Sequence, residues 1–205
     1  RLRTYQTMLM DDAIFAPIDS RSMAIETAMS KSYFEYDINS EKSVAIKEFL
    51  EYNLATLDGQ TPRSIGRAAS EMIINSWSPF EIVYQNGSVE YPDKYHLKKL
   101  AYIHPLTLDQ SIPFELSPDG NEILNLRQSA SAFVGTNGNF NQSKLSWTGV
   151  KEIDFRRVAY CSYAASSTQP IGNSPLDAAY TAWREKQLLQ DYLLIGVTRD
   201  FSGTP

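Results

Sequence analysis

Apolar positions in the first thirty residues recur at helical spacing. Ile14, Ile18, the aliphatic stem of Arg21, Ile25 and Ala28 share one face of a 3.6-residue period. Pro17 interrupts that face, which predicts two helices or one kinked helix. At Phe34, Tyr36 and Ile38 the period drops to two, the pattern of a half-buried strand. Asn39-Ser40 offers a helix N-cap. Ile46, Leu50, Leu54 and Leu57, joined by Phe49, form the next stripe, closed by Asp58-Gly59, where glycine suits a left-handed cap. Pro62 to Asn75 reads as a third helical stretch through Ile65, Ala69, Met72 and Ile73.

Trp77 to Tyr84 then turns to strand. Asn86-Gly87, with apolar residues on both sides, is a strong tight-hairpin signal because both turn positions favour positive φ. Leu97 to His104 reads as a strand stopped by Pro105. Ile112, Phe114 and Leu116 alternate, Ser117-Pro-Asp-Gly120 turns, and Ile123 to Arg127 returns, giving a second hairpin. Ser129 to Ser143 reads as a flexible loop or a hairpin tip at Asn137-Gly138, and Lys151 to Cys161 as a further strand.

A small-residue loop, 162–173, precedes Ser174-Pro175, an N-cap hydroxyl followed by proline at the first helical position. The helix is expected to run to Ile195 and stop at Gly196, about 21 residues or roughly 32 Å. Asp177 suits the positive end of its dipole. Ala178, Ala182, Glu185, Leu189 and Tyr192 share one face, while Leu188, Leu193, Leu194 and Ile195 make the last turns apolar nearly all round. A helix end of that kind needs neighbours on every side, and another subunit is one source of them. Helices, then hairpin strands, then one long helix indicate an α+β fold with antiparallel strands.

Composition narrows the functional classes. In 205 residues, 42% hydrophobic and 21% charged fit a folded domain rather than a disordered acidic tail. The net charge of −5 argues against a protein that wraps DNA electrostatically. The single cysteine, Cys161, excludes an internal disulfide framework. No apolar run reaches the length of a membrane span, so no membrane partner is expected. The chain opens without Met and closes on Phe201 to Pro205 in a loop-like segment, so it is expected to be a piece of a longer protein.

The search for chemistry returns little. His96 and His104 match no zinc spacing, and Cys161 cannot complete one, so both read as strand-end histidines and no metal ligand is nominated. A Gly-x-Ser-x-Gly elbow, a Walker loop and a Gly-x-Gly-x-x-Gly turn are all absent from the sequence. Asp11-Asp12 are adjacent and do not face each other on a helix, so they read as a capping or solvated pair. Arg156-Arg157 and Lys98-Lys99, on expected strands, point to opposite sheet faces, poor geometry for a nucleic-acid patch. No catalytic or cofactor-binding residue is nominated, and the chain is expected not to be an enzyme. The aromatics are more informative: 24 of them, twelve Tyr. Tyr180, Trp183, Arg184, Leu189 and Tyr192 on the last helix are candidate subunit-interface residues, set against the plainer alternative of a core stripe.

Three blocks of sequence resemble portal proteins of tailed bacteriophages, in particular the Mu-like group. The first is Asp11-Asp-Ala-Ile-Phe-Ala-Pro-Ile-Asp-Ser-Arg21, with its Asp-x-Arg pair. The second runs from Gly66 through Trp77-Ser-Pro-Phe-Glu-Ile-Val-Tyr84 to Ile103-His-Pro105. The third is Pro170-Ile-Gly-Asn-Ser-Pro-Leu-Asp-Ala-Ala-Tyr180, then Trp183, Lys186 and the exit Gly203-Thr-Pro205. Val197-Thr-Arg-Asp-Phe201 departs from the apolar, glutamate-containing stretch usual before that exit. The resemblance implies a portal-type wing with N-terminal helices and antiparallel hairpins over 1–161. A loop and long helix at the entry to the stem would occupy 162–205, with clip and crown beyond. It further implies a homo-oligomeric ring, usually a dodecamer, at the capsid vertex of a virion, assembled in the host cytoplasm. Double-stranded DNA would pass through the ring at packaging and ejection. Terminase large subunit, major capsid or scaffolding protein and the head–tail adaptor would be its partners. The alternatives are a carboxylate-dependent hydrolase domain, or another adaptor or capsid-associated virion protein.

Overall fold

The computed structural model describes residues 1–31, 34–109, 111–120, 122–129, 149–165, 171–201 and 203. Helices α1 (Leu2–Met8) and α2 (Asp12–Ser30) open the chain, followed by α3 (Glu41–Ala55), α4 (Pro62–Ser70) and the single turn α5 (Met72–Asn75). Strands β1 (Trp77–Asn86), β2 (Tyr95–Tyr102), β3 (Phe114–Leu116), β4 (Ile123–Ser129), β5 (Val150–Asp154) and β6 (Val158–Ser162) come next, and α6 (Pro175–Phe201) closes the fold. The strands form two antiparallel three-stranded sheets, ordered β2-β1-β6 and β3-β4-β5. The fold is thus mixed helix and sheet with a long C-terminal helix.

Side-chain caps set several boundaries. Asp11 accepts from Ala13 N at the start of α2, and Ser40 from Ser43 N at the start of α3. Thr61 and Ser64 form a reciprocal capping box at α4, with Pro62 just inside. Pro17 lies inside α2, which remains one helix. Pro62 to Asn75 is broken at Glu71 into α4 and α5, and Ser76 then turns left-handed (φ 75°) to launch β1.

Four expectations need correction. Residues 34–38 form no strand. Asp37 accepts from Asn39 N and donates its own N–H to Ser43 Oγ, so the backbone is committed to the turn into α3, and Ile38 stays exposed. The Asn86-Gly87 turn is not a two-residue hairpin. Gly87 alone takes positive φ, and the connection runs over 87–94 because Tyr91 docks on α3, with ring centroids 5.0 Å from both Phe49 and Tyr52. Residues 151–161 are not one strand. Asp154 caps a 3-10 turn over Phe155–Arg157, so β5 belongs to one sheet and β6 to the other, and Arg156-Arg157 sit on that turn. On α3 the expected stripe is only half inside: Ile46 and Leu50 are exposed, while Asn53 is buried. The Asn137-Gly138 turn lies outside the described residues.

Two apolar clusters hold these elements. Trp77, Ile103, Leu108, Leu126, Ile153 and Val158 join the sheets. Tyr5, Met8, Ile18, Ile73 and Leu176 join the N-terminal helices to α6. Gly66 lets α4 lie close on α2, since a Cβ there would sit 2.9 Å from Met29 Cβ. Glu26, on the same contact, bonds Arg67 at 2.7 Å and Arg63 at 3.4 Å, and the Arg67 guanidinium holds its carboxyl below the usual range.

The outer edge of β2 is covered by side-chain amides. Asn53 Oδ1 accepts from Leu97 N. The Gln60 amide donates to Leu100 O at 2.7 Å and accepts from Leu100 N at 2.9 Å, as a neighbouring strand's peptide would. Asp58 N completes the row on Lys98 O at 2.8 Å. Replacing Gln60 by leucine strips both bonds from a partly buried peptide. Gln60→Leu should lower unfolding stability by about 2 kcal/mol, read as a shifted urea midpoint with an unchanged slope.

Candidate functional site

The sequence places its candidate interface on α6, and the structure shows how that helix is held. Ser174 is buried. Its hydroxyl donates to Ile73 O at 2.7 Å and accepts from Leu176 N at 3.2 Å, so one side chain ties the helix start to the end of α5. Leu176 is 2% exposed in the helical core. Asp177 bonds the Arg1 guanidinium and the Tyr5 hydroxyl of α1. Two turns on, Lys186 Nζ donates to both Asp11 oxygens at 2.8 and 2.7 Å. Asp11 therefore caps α2 and anchors α6 together. The Lys186 ammonium holds its carboxyl below the usual range, with Ala13 N–H adding to the effect.

Gly172 makes this approach feasible. A Cβ there would sit 1.8 Å from Tyr163 O and 3.0 Å from Ser76 O. Tyr163 N and Ser76 O are themselves bonded at 3.0 Å, and Asn173 N bonds Tyr163 O at 2.9 Å. The segment before α6 is thus threaded between backbone carbonyls with no room for a side chain.

The five nominated residues fall into two groups. Trp183 packs, half-buried, on the helical core, and Tyr180 lies beside it at 6.1 Å between ring centroids. Tyr180 is nonetheless exposed, as are Arg184, Leu189 and Tyr192. From Leu188 onward the helix leaves seven large apolar side chains uncovered among polar ones: Leu188, Leu189, Tyr192, Leu193, Leu194, Ile195 and Val197 are each 47–69% exposed. Gly196 does not end it. That glycine lacks positive φ, and the helix continues to Phe201, with the left-handed glycine at Gly203. Continuing through one glycine costs about 1 kcal/mol. Sequence periodicity did not reveal the open groove between the α1–α2 corner and α6, lined by Met10, Asp11, Asp12, Trp183, Lys186 and Gln190. Its defining ion pair spans 175 positions, and the only local signal was Asp11 as a cap.

Among the described residues no group of His, Cys, Asp and Glu is arranged to hold a metal ion, and no helix is long and apolar enough to cross a membrane. His96 lies one residue into β2, and His104 caps the 3-10 turn after it through Nδ1. Cys161 is exposed, and partial burial raises its thiol pKa, the opposite of a reactive cysteine.

No family model and no curated protein matches the chain. Among solved structures it is similar to a chain of one titled "Virion of native gene transfer agent (GTA) particle". The TM-score is 0.45 and the identity 14%, covering 87% of this chain and 41% of that one, so this chain spans less than half of that neighbour's length.

The anchors set an acid limit. Asp11 and Glu26 have folded pKa values below their ordinary ones, so their contribution is present above the carboxylate range and disappears as the pH falls through it. Glu71 opposes them: burial raises its carboxyl, so its ionisation weakens the fold as the pH rises. Thermal unfolding from pH 7 to 3 should show a fall in Tm below about pH 4, shallower in Lys186→Met, where the larger cause of the Asp11 shift is gone and only the Ala13 N–H remains. In the same assay Gly172→Ala should lose more than about 3 kcal/mol, since the intruding methyl meets backbone rather than a yielding side chain.

Proposed function

We propose that the chain is the wing and stem-entry part of a virion portal subunit, residues 1–161 and 162–205 respectively. Copies of it would form a ring at a capsid vertex through which double-stranded DNA passes. The observation that carries this reading is α6. Its first turns are fixed to the body by Ser174, Leu176, Asp177 and Lys186, and its distal half presents seven large apolar side chains to solvent. An isolated helical end of that composition is marginal in water, so a rod held rigidly and left uncovered calls for neighbouring protein.

The remaining chemistry agrees. A channel that lets a duplex slide must not neutralise many phosphates, since each such contact strengthens a salt-dependent grip. The acid excess of five charges suits that requirement. Terminase large subunit, the major capsid or scaffolding protein and a head–tail adaptor are the partners this role entails.

Negative-stain images of the full-length protein should show rings with a central hole. A monomer at every concentration and salt tested would overturn the reading, and closed assemblies without a hole would favour another capsid-associated role. Leu189→Asp places a charge on the exposed rod and should shift the protein toward monomer while leaving its circular dichroism intact. The expected cost is about 2 kcal/mol or more per contact. Trp183→Ala also loosens the helical core, so it should lower Tm as well as assembly.

A further inference from the structure

The single turn α5 holds more than its length suggests. Ile73 O accepts from the Ser174 hydroxyl, and the carbonyl of Ser76, the next residue after α5, accepts from Tyr163 N. Both bonds fix the approach to α6. Glu71 opens the turn, and its carbonyl accepts from Ile74 N at 3.0 Å and Asn75 N at 2.8 Å. Its side chain reaches the same Asn75, accepting from Nδ2 at 3.3 Å.

That side-chain pair is half made. Asn75 is 2% exposed, and its Oδ1 is buried with no partner. An ionised carboxylate can only accept, so it leaves Oδ1 unpaired, and a buried unpaired acceptor is costly. A protonated carboxyl is complementary to a primary amide. Its O–H donates to Oδ1 while its other oxygen accepts from Nδ2, giving two bonds in place of one. The proton comes from solvent and returns to it, and no other covalent bond forms or breaks.

The surroundings favour the proton. Burial outweighs the opposing pulls of Arg67 and of the Asn75 N–H, so the half-buried Glu71 keeps its proton to a higher pH than an ordinary glutamate. Arg67 on α4 is already engaged by Glu26 at 2.7 Å and Asp19 at 3.6 Å of α2. From β2, Tyr102 brings a buried hydroxyl without a partner; burial and the Glu71 charge raise its pKa, so it stays neutral. His104 stands 6.0 Å from the Tyr102 ring, and burial favours its neutral form. Among the described residues, no charge from α1, β1, β6 or α6, the other elements packed on α5, counts among the influences on Glu71.

We propose that Glu71 and Asn75 form a proton-operated clasp at the base of α6: with a proton on Glu71 the two side chains close a ring of two hydrogen bonds, and without it one bond remains. Closing the clasp stiffens α5 and with it the seat of α6. Opening it, as the pH rises from the ordinary glutamate range through the higher folded value, loosens both. The clasp lies within one chain, so it works whether or not copies associate.

Hydrogen exchange on the full-length protein, read by mass spectrometry as protection factors from about pH 5 to about pH 8, tests this. In the wild-type chain, peptides holding Asn75, Tyr163 and Leu176 should lose protection several-fold over that range. A peptide holding Leu126, paired on both sides within its sheet, should not. Glu71→Gln replaces the acid O–H by an amide N–H, which closes the same ring at every pH, and should keep its protection throughout. Arg67 and His104 are intact in that variant, so a pH response that persists in it would belong to other groups and overturn the clasp. Flat protection in the wild-type chain would overturn it with no variant needed. Glu71→Leu, uncharged but unable to bond, should be several-fold less protected than Glu71→Gln. Equal protection in the two would overturn the hydrogen-bonded ring and leave only the removal of a buried charge.

Discussion

Everything distal in this protein depends on a knot of backbone and one hydroxyl where four segments of the chain meet. Ser174 Oγ reaches Ile73 O, Tyr163 N reaches Ser76 O, and Gly172 passes between the carbonyls of Tyr163 and Ser76. The end of the N-terminal helices, the start of β1, the end of β6 and the start of α6 are thereby held within a few ångströms. Buried polar groups are costly unless paired, so the knot is stable only when all four segments are in place. Ser76 takes a left-handed conformation that most side chains avoid, and it does so there.

From this knot the body extends in two directions with different chemistry. The sheets are joined by apolar packing around Trp77 and Leu126, and by Glu81, which reaches Lys151 on β5 and Arg157 on the sheet-crossing turn. The helices are joined by apolar packing plus short ionic contacts: Glu26 with Arg67 and Arg63, Asp11 with Lys186. Sheet edges invite unwanted pairing. The Asn53 and Gln60 amides close the β2 edge, so the peptide groups they bond at Leu97 and Leu100 are not open to another strand.

What could be read in the sequence was local. Ser40 and Ser174 announce helix starts through hydroxyl caps, Ser117 to Gly120 announces a turn, and alternation near Phe114 announces a strand; each depends on a few neighbouring residues. The misreadings share a cause. Residues 151–161 look continuous because β-propensity is unbroken, and only the two separate partners, β4 and β1, show that the chain changes sheet. The loop at 87–94 is longer than Asn-Gly suggests because Tyr91 gains more from Phe49 and Tyr52 than a tight turn would. Ile46 and Leu50 carry helical periodicity yet face outward, since periodicity names a stripe and not the side that is covered. At the candidate site, the apolar character of 188–197 was legible, whereas the Asp11–Lys186 pair, 175 positions apart, had no local trace beyond the cap.

The bond from Ser174 to Ile73 also bears on synthesis. Four of the groups that hold the first turns of α6, Arg1, Tyr5, Asp11 and Ile73, leave the ribosome long before the helix does, and Tyr163, which accepts from Asn173 N, follows just ahead of it. Domains fold as they emerge, so the N-terminal helices can assemble first, and the knot closes when β6 and the start of α6 reach them. The anchored turns of α6 then dock on them, and the leucine-rich distal turns follow the anchored ones. The exposed apolar turns of α6 thus leave the ribosome after the groups that hold the start of the helix.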